Sequence, residues 1–256
     1  MLYPVIICLL AGIGAGLGTG FAGMSAAAVI SPMLITFLHM PAYTAVGIAL
    51  ASDVLASAAS AYTYHKNGNL DVRNGLIMMA SVLLFTMVGS WISSLVPNTA
   101  MGGFSTVMTF FLGIKFIVKP VMTTKETMGA VSARKRAVQS AVCGMLVGFI
   151  CGFVGAGGGM MMLLVLTSVL GYELKTAVGT SVFIMAFTAL TGSLSHFVIG
   201  GAPDPVVLGL CMLFTLVFAQ IGARIANHST PATLNRVVGV ILVILGGSIF
   251  AVNLLT

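Results

Sequence analysis

Gly20-Phe21-Ala22-Gly23 returns as Gly152-Phe153-Val154-Gly155, and Thr44-Ala45-Val46-Gly47 returns as Thr176-Ala177-Val178-Gly179. Both pairs are separated by the same offset, 132 residues, and 16–47 set against 148–179 shares 10 identities in 32 positions. Further along, Asn67-Gly68-Asn69 faces Ile199-Gly200-Gly201, and Gly89 faces Gly222 with one residue of slippage. A duplication on this scale sets the architecture before any segment is assigned. It predicts one domain over 1–256, made of two like halves, 1–117 and 137–256, with 118–136 as the linker.

The medium around the halves follows from the charges. Eleven Lys+Arg and five Asp+Glu serve 256 residues, 59% of the chain is hydrophobic, and mean hydropathy is +1.13. A soluble domain is usually about a quarter charged, so a soluble globular enzyme is excluded. A disordered chain is excluded by the apolar content. The net charge of +6 is carried by basic residues too few and scattered for a nucleic-acid groove. A polytopic membrane protein remains. Met1-Leu2-Tyr3-Pro4 places no Lys or Arg ahead of its apolar run, so the first segment is expected to be retained rather than cleaved. Cys8, Cys143, Cys151 and Cys211 lie in apolar segments without a CxxC and are expected to be reduced and buried.

Turn residues divide the apolar runs into spans near 4–22, 25–39, 42–65, 73–95 and 98–117. After the linker come 137–155, 158–170, 174–199, 204–226 and 232–254. A bilayer needs about twenty helical residues, so 25–39 and 158–170 are short and point to broken or re-entrant helices. With five segments per half and the linker in the cytoplasm, all 11 basic residues fall inside, as the positive-inside rule requires. Counting each glycine-broken pair as one crossing would move Lys175, Arg224 and Arg236 outside. Five is odd, so the second half is inverted and both termini face the exterior of the inner membrane. The fold expected is an all-α polytopic membrane protein of two inverted repeats. Whether 4–39 and 137–170 span fully or re-enter stays open at this level.

The glycine-rich stretches that hold the breaks are Gly12 to Ser25 and Gly152 to Gly159. Glycine permits a tight reversal, and a helix starting after it presents free N–H groups that suit an anion. Gly12, Gly14, Gly16 and Gly18 lie inside a helix and are read as close-packing residues. Gly23, Met24 and Ser25, and Gly155, Gly157, Gly158 and Gly159, are read as candidate substrate contacts. Asp53, Ser57, Ser60 and Tyr64 share a helical face, as do Ser181, Thr188 and Ser195, with Thr180 and Thr191 close by. Ser57, Thr180 and Ser181 join the candidate substrate contacts, although Ser and Thr in membranes also serve merely to bond a neighbouring helix. Asp53 is an intramembrane acid, costly unless used. It is a proton-coupling candidate, with pairing to a backbone donor as the alternative. His196 is a second candidate, and an interfacial histidine is its bland alternative. Glu173, Lys175 and Arg224 are read as anchors at the inner ends. The 17 methionines are dispersed filler. No metal, cofactor or ATP-binding loop is expected.

With these residues in view, the chain resembles the TauE/SafE family of sulfite exporters and organosulfonate permeases. The carriers are Gly20-Phe-Ala-Gly-Met-Ser, Gly152-Phe-Val-Gly-Ala-Gly-Gly-Gly, Ala45-Val46-Gly47, Ala177-Val178-Gly179-Thr180-Ser181 and the duplication. The resemblance implies a proton-coupled carrier of small anions: sulfite, thiosulfate, sulfoacetate, taurine-related sulfonates or small carboxylates. Where the second half has Ala156-Gly157-Gly158-Gly159, the first has Met24-Ser25-Ala26-Ala27, so the two turns are unequal. The expected function is a secondary transporter, exporter or permease, working by alternating access, and not an enzyme. Its partners would be a small anion, the bilayer and protons. Oligomeric state, anion identity and direction are not given by these residues. A passive anion channel is the alternative. An intramembrane hydrolase using Ser25 and His196 has no base and oxyanion arrangement to support it.

Overall fold

The computed structural model of the chain describes residues 2–93, 111, 114–121, 123–126, 132–154, 158–200 and 202–255. Among them are nine long helices and no strand. They are α1 (Leu2–Ala22), α2 (Ala27–Leu38), α3 (Ala42–Lys66), α4 (Val72–Ser93), α5 (Ala133–Val154), α6 (Gly158–Ser168), α7 (Leu174–Gly200), α8 (Pro205–His228) and α9 (Pro231–Leu255). Leu2–Ala22, Thr44–Lys66, Leu174–Val198 and Pro205–His228 are long and apolar enough to cross a bilayer, and shorter apolar helices accompany them. The protein is an all-α polytopic membrane protein. Helices close their own backbone hydrogen bonds, which is what lipid demands.

The punctuation is chemical. α1 stops where Gly23 takes φ +60, a conformation that costs an L side chain but not glycine. α2 carries Pro32 within it and ends on His39 in the left-handed region. α3 runs into Gly68 at φ +67. α8 opens with Asp204, whose carboxylate accepts from the N–H of Val206 (2.8 Å) and Val207 (3.3 Å), followed by Pro205 in the first turn. Most predicted segments match these helices within a few residues. Most of 98–117 lies outside the described residues, with 114–118 helical. The linker was expected to reach 136, but α5 already begins at Ala133. Arg134, Lys135 and Arg136 therefore ride its first turn.

The first helix of each half packs on the fourth helix of the other: α1 on α8, and α5 on α4. Glycines at four-residue spacing line both seams. A β-carbon on Gly16 would meet the Thr215 carbonyl oxygen at 2.6 Å, and one on Gly20 would meet the Ala223 nitrogen at 2.7 Å. On the other seam, one on Gly144 would meet the Met78 carbonyl oxygen at 2.7 Å, and one on Gly148 the Val82 Cα at 2.8 Å. The packing reading of Gly12 and Gly16 is thus what the backbone requires. Gly144 and Gly148, 132 positions after them, carry the same spacing, a signal the sequence reading passed over. Between the seams, α3 and α7 lie against each other and run in opposite directions. Gly47 meets His196 and Phe197 there, and Gly179 meets Tyr64.

One end of the bundle gathers the basic loops. Lys175 Nζ donates to the Asn227 carbonyl (2.8 Å), and Asn69 Nδ2 donates to Asn227 Oδ1 (2.6 Å). Lys125 Nζ donates to the Gly68 carbonyl (3.0 Å), Asn235 exchanges two bonds with the Val121 backbone, and Lys115 donates to Ser168. At the opposite end Tyr3 donates to the Phe37 carbonyl (3.1 Å). Lys175 and Arg224, which a four-span reading would send to the far side, belong to the same end as Lys66 and Lys125.

Candidate functional site

Asp53 stands within one residue of the midpoint of α3, about 16 Å from its start and 20 Å from its end at 1.5 Å per residue. It is 1% exposed. Its carboxylate accepts from Ser57 Oγ (2.7 Å), one turn on, and from Ser25 Oγ (2.6 Å), in the break between α1 and α2. The same Ser25 oxygen accepts from the Ala27 N–H at 3.3 Å. A buried carboxylate is tolerable when donors meet it, and the break before α2 and the next turn of α3 supply one each.

The two breaks meet beside this carboxylate. A β-carbon on Gly159, at the start of α6, would lie 2.7 Å from the Gly23 carbonyl oxygen and 2.8 Å from the Ser25 nitrogen. Ser181 Oγ, on α7, donates to the Gly23 carbonyl (2.9 Å) and lies 3.3 Å from that of Gly159. Gly23, Ser25, Ser57, Asp53, Gly159 and Ser181 are therefore brought together, with Gly158 next to Gly159. Thr19 Oγ1 accompanies them by bonding the Met24 carbonyl (2.9 Å). Met24 is fully buried and packs in the core. Ser60 Oγ, on the same face of α3 as Asp53 and Ser57, is buried without a hydrogen-bond partner.

Other candidates stand apart. Gly155 and Gly157 lie outside the described residues. Thr180 accepts from the Asp71 N–H (3.2 Å), toward the basic end. His196 packs on Gly47, six residues along α3 from Asp53, and is not among the carboxylate's partners. Position 185, the counterpart of Asp53 in the second half, is Met185, whose sulfur faces Ser181 Oγ at 3.8 Å. Cys8, Cys143 and Cys211 are buried free thiols. Among the described residues no cluster of His, Cys, Asp and Glu could hold a metal.

A second polar assembly, at the basic end, was missed. Tyr172 OH donates to Asp71 Oδ2 (2.8 Å), which also accepts from Asn74 Nδ2 (2.7 Å), and the Arg136 guanidinium lies over the Tyr172 ring at 5.4 Å. Burial, and then the neighbouring Asp71 charge, push the Tyr172 phenol above its ordinary range. It remains a donor at any physiological pH. Loop residues of opposite halves carry no periodicity by which sequence could pair them.

A family model described as Sulfite exporter TauE/SafE matches residues 8–249. The chain is 23% identical to the probable membrane transporter protein YdhB of Bacillus subtilis, over 83% of this chain and 86% of that protein. It is 24% identical to the probable membrane transporter protein YunE of the same organism, over 94% of each. A probable membrane transporter protein of Haemophilus influenzae is 26% identical over 88% of this chain and 86% of its own. No solved structure gives a significant match.

Proposed function

Since the chain belongs to the sulfite exporter TauE/SafE family, and is a membrane transporter rather than an enzyme, we propose that it carries a small anion, such as sulfite, an organosulfonate or a related organic anion, coupled to protons. The observation that carries this reading is the meeting of two helix breaks beside a buried acid near the middle of α3. Gly159 touches Gly23 and Ser25, and Ser25 holds Asp53. Backbone N–H groups at helix starts receive anions without a buried cation, and discontinuous helices at the midplane are where transporters place substrate. Gly23, Ser25, Ser57, Gly159 and Ser181 are the contacts we assign, with Asp53 carrying the proton.

Alternating access is the mechanism proposed, with halves 1–117 and 137–256 related by inversion about a two-fold axis in the membrane plane. It is supported by reciprocal contacts: α1 on α8 with α5 on α4, and Gly47 on His196 with Gly179 on Tyr64, each residue set 132 positions from its counterpart. The basic end is assigned to the cytoplasm of the cell's inner membrane and both termini to the exterior.

The test is uptake into proteoliposomes of sulfite, thiosulfate, sulfoacetate and small carboxylates, with and without a pH gradient. The expected result is saturable uptake of at least one sulfur-containing anion, accelerated by the gradient. Movement of none would overturn the reading, and flux without saturation or coupling would make the protein a channel.

A further inference from the structure

We infer that the Asp53 carboxylate is a built-in competitor for the transported anion: ionised, it occupies the donors the anion needs, and protonated, it releases them, so that one proton enters the site with each anion. The inference rests on the anion-carrier reading above.

The donors assigned to the substrate are not vacant. The Ser25 hydroxyl spends its one proton on Asp53 Oδ2, and the Ser57 hydroxyl spends its own on Oδ1. A hydroxyl has one proton to donate, so a second anion cannot draw on Ser25 or Ser57 while the carboxylate holds them. Two negative charges side by side in a medium of low dielectric also repel strongly. Protonation of Asp53 removes both obstacles. The neutral carboxylic acid needs fewer donors and brings an O–H of its own, which can turn to the incoming anion.

One donor is already free. Ser60 Oγ lies on the same face of α3, between Ser57 and Tyr64, fully buried and unbonded. Tyr64 OH donates to the Gly20 carbonyl at 2.8 Å, which turns that face toward the end of α1 and the break after it. A buried hydroxyl without a partner is unusual and asks for an acceptor. It stands one turn from the donors that Asp53 would release.

Among the described residues no other charge acts on Asp53. The helices packed against α3 are α1, α2, α7 and α8. Their titratable or charged side chains are Tyr3 and Cys8 on α1, none on α2, Lys175 and His196 on α7, and Cys211, Arg224 and His228 on α8. Among the described side chains of α3 itself are Tyr62, Tyr64, His65 and Lys66. None of these is among the groups acting on Asp53. The counterpart in the second half is Met185, a neutral thioether, so only one of the two equivalent positions carries a competitor. That asymmetry sets the stoichiometry at one proton.

Thiosulfate and sulfoacetate keep their charge between pH 5.5 and 8.5, so they report on the protein alone. Their binding to the purified full-length protein is measured by calorimetry across that range, in buffers of different ionisation enthalpy. The expected result is net uptake of one proton per anion and an apparent affinity that falls about tenfold per pH unit toward the alkaline side, as the competent fraction falls. Asp53→Asn should bind with an affinity that does not change with pH. It should exchange anion across a membrane and fail to accumulate it against a pH gradient. A native affinity independent of pH, or an Asp53→Asn protein that stays folded yet no longer binds, would overturn the inference while leaving anion transport standing. Failure of the native protein to bind either anion at any pH would overturn the carrier reading and this inference with it.

Discussion

Gly179 packs so closely on Tyr64 that a β-carbon there would stand 2.8 Å from the tyrosine Cβ, with the Asn69 carbonyl also in its way. Gly47, its counterpart, faces the His196 Cβ at 3.2 Å, with the edge of the Phe197 ring beside it. The first contact involves atoms fixed by the backbone, and the second includes a ring that can turn aside. Gly179→Ala should therefore cost about 1–3 kcal/mol or more, as overpacking does, and Gly47→Ala less. Thermal unfolding in detergent should show a larger drop in Tm for Gly179→Ala. Equal drops would contradict the geometry.

Ser57→Ala takes one of two hydroxyl donors from a carboxylate that is 1% exposed. Leaving a buried charged group short of a bond costs about 1–3 kcal/mol. The variant should lose Tm at neutral pH and recover part of it in acid, where the neutral carboxyl needs fewer donors. A loss that is the same at pH 5 and pH 8 would show that Asp53 does not depend on this hydroxyl.

The basic end can be placed by labelling. Asn67 and Thr230 are exposed there, and Ala202 is exposed at the opposite end. A membrane-impermeant maleimide added to intact cells should label Ala202→Cys, and should reach Asn67→Cys and Thr230→Cys only after permeabilisation. Of the four native cysteines, Cys8, Cys143 and Cys211 are buried and should contribute little background, and Cys151→Ala removes the fourth. Labelling of Asn67→Cys in intact cells would reverse the orientation.

Tyr172 ties the two halves at the basic end, and its phenol is held above its ordinary value of 10.0 chiefly by burial. A group whose folded value is raised gives stability that is complete below the unfolded value and is lost as pH climbs beyond it. Unfolding followed from pH 8 to pH 11.5 should show stability falling above about pH 10. In Tyr172→Phe that alkaline fall should be shallower, with stability lowered by about 1 kcal/mol at pH 8 from the lost bond to Asp71.

Much of the fold could be read from residues because lipid leaves few options. Apolar runs long enough to span became α1, α3, α7 and α8, and the runs too short to span, 25–39 and 158–170, became α2 and α6. Ser57 beside Asp53 was visible as an i, i+4 pair. Ser25 was visible only as a residue after a glycine turn. That its hydroxyl crosses 28 residues to the same carboxylate depends on how α1 and α2 fold back along α3, which no periodicity encodes. His196 was grouped with Asp53 because both are titratable. The antiparallel run of α3 and α7 sets the histidine against Gly47 instead. Asp71 and Tyr172 come from loops, where spacing carries no register.

The exchange of helices between halves also bears on how the protein is made. α1 is synthesised well before α8, yet α8 is the surface that receives Gly12, Gly16 and Gly20. Until α8 is in place this seam is unfilled, and lipid offers small residues no close packing. This seam must wait for α8, and a truncated product lacking α8 would leave the glycine face of α1 unfilled and open to membrane quality control, with α2 and α3 among its remaining partners.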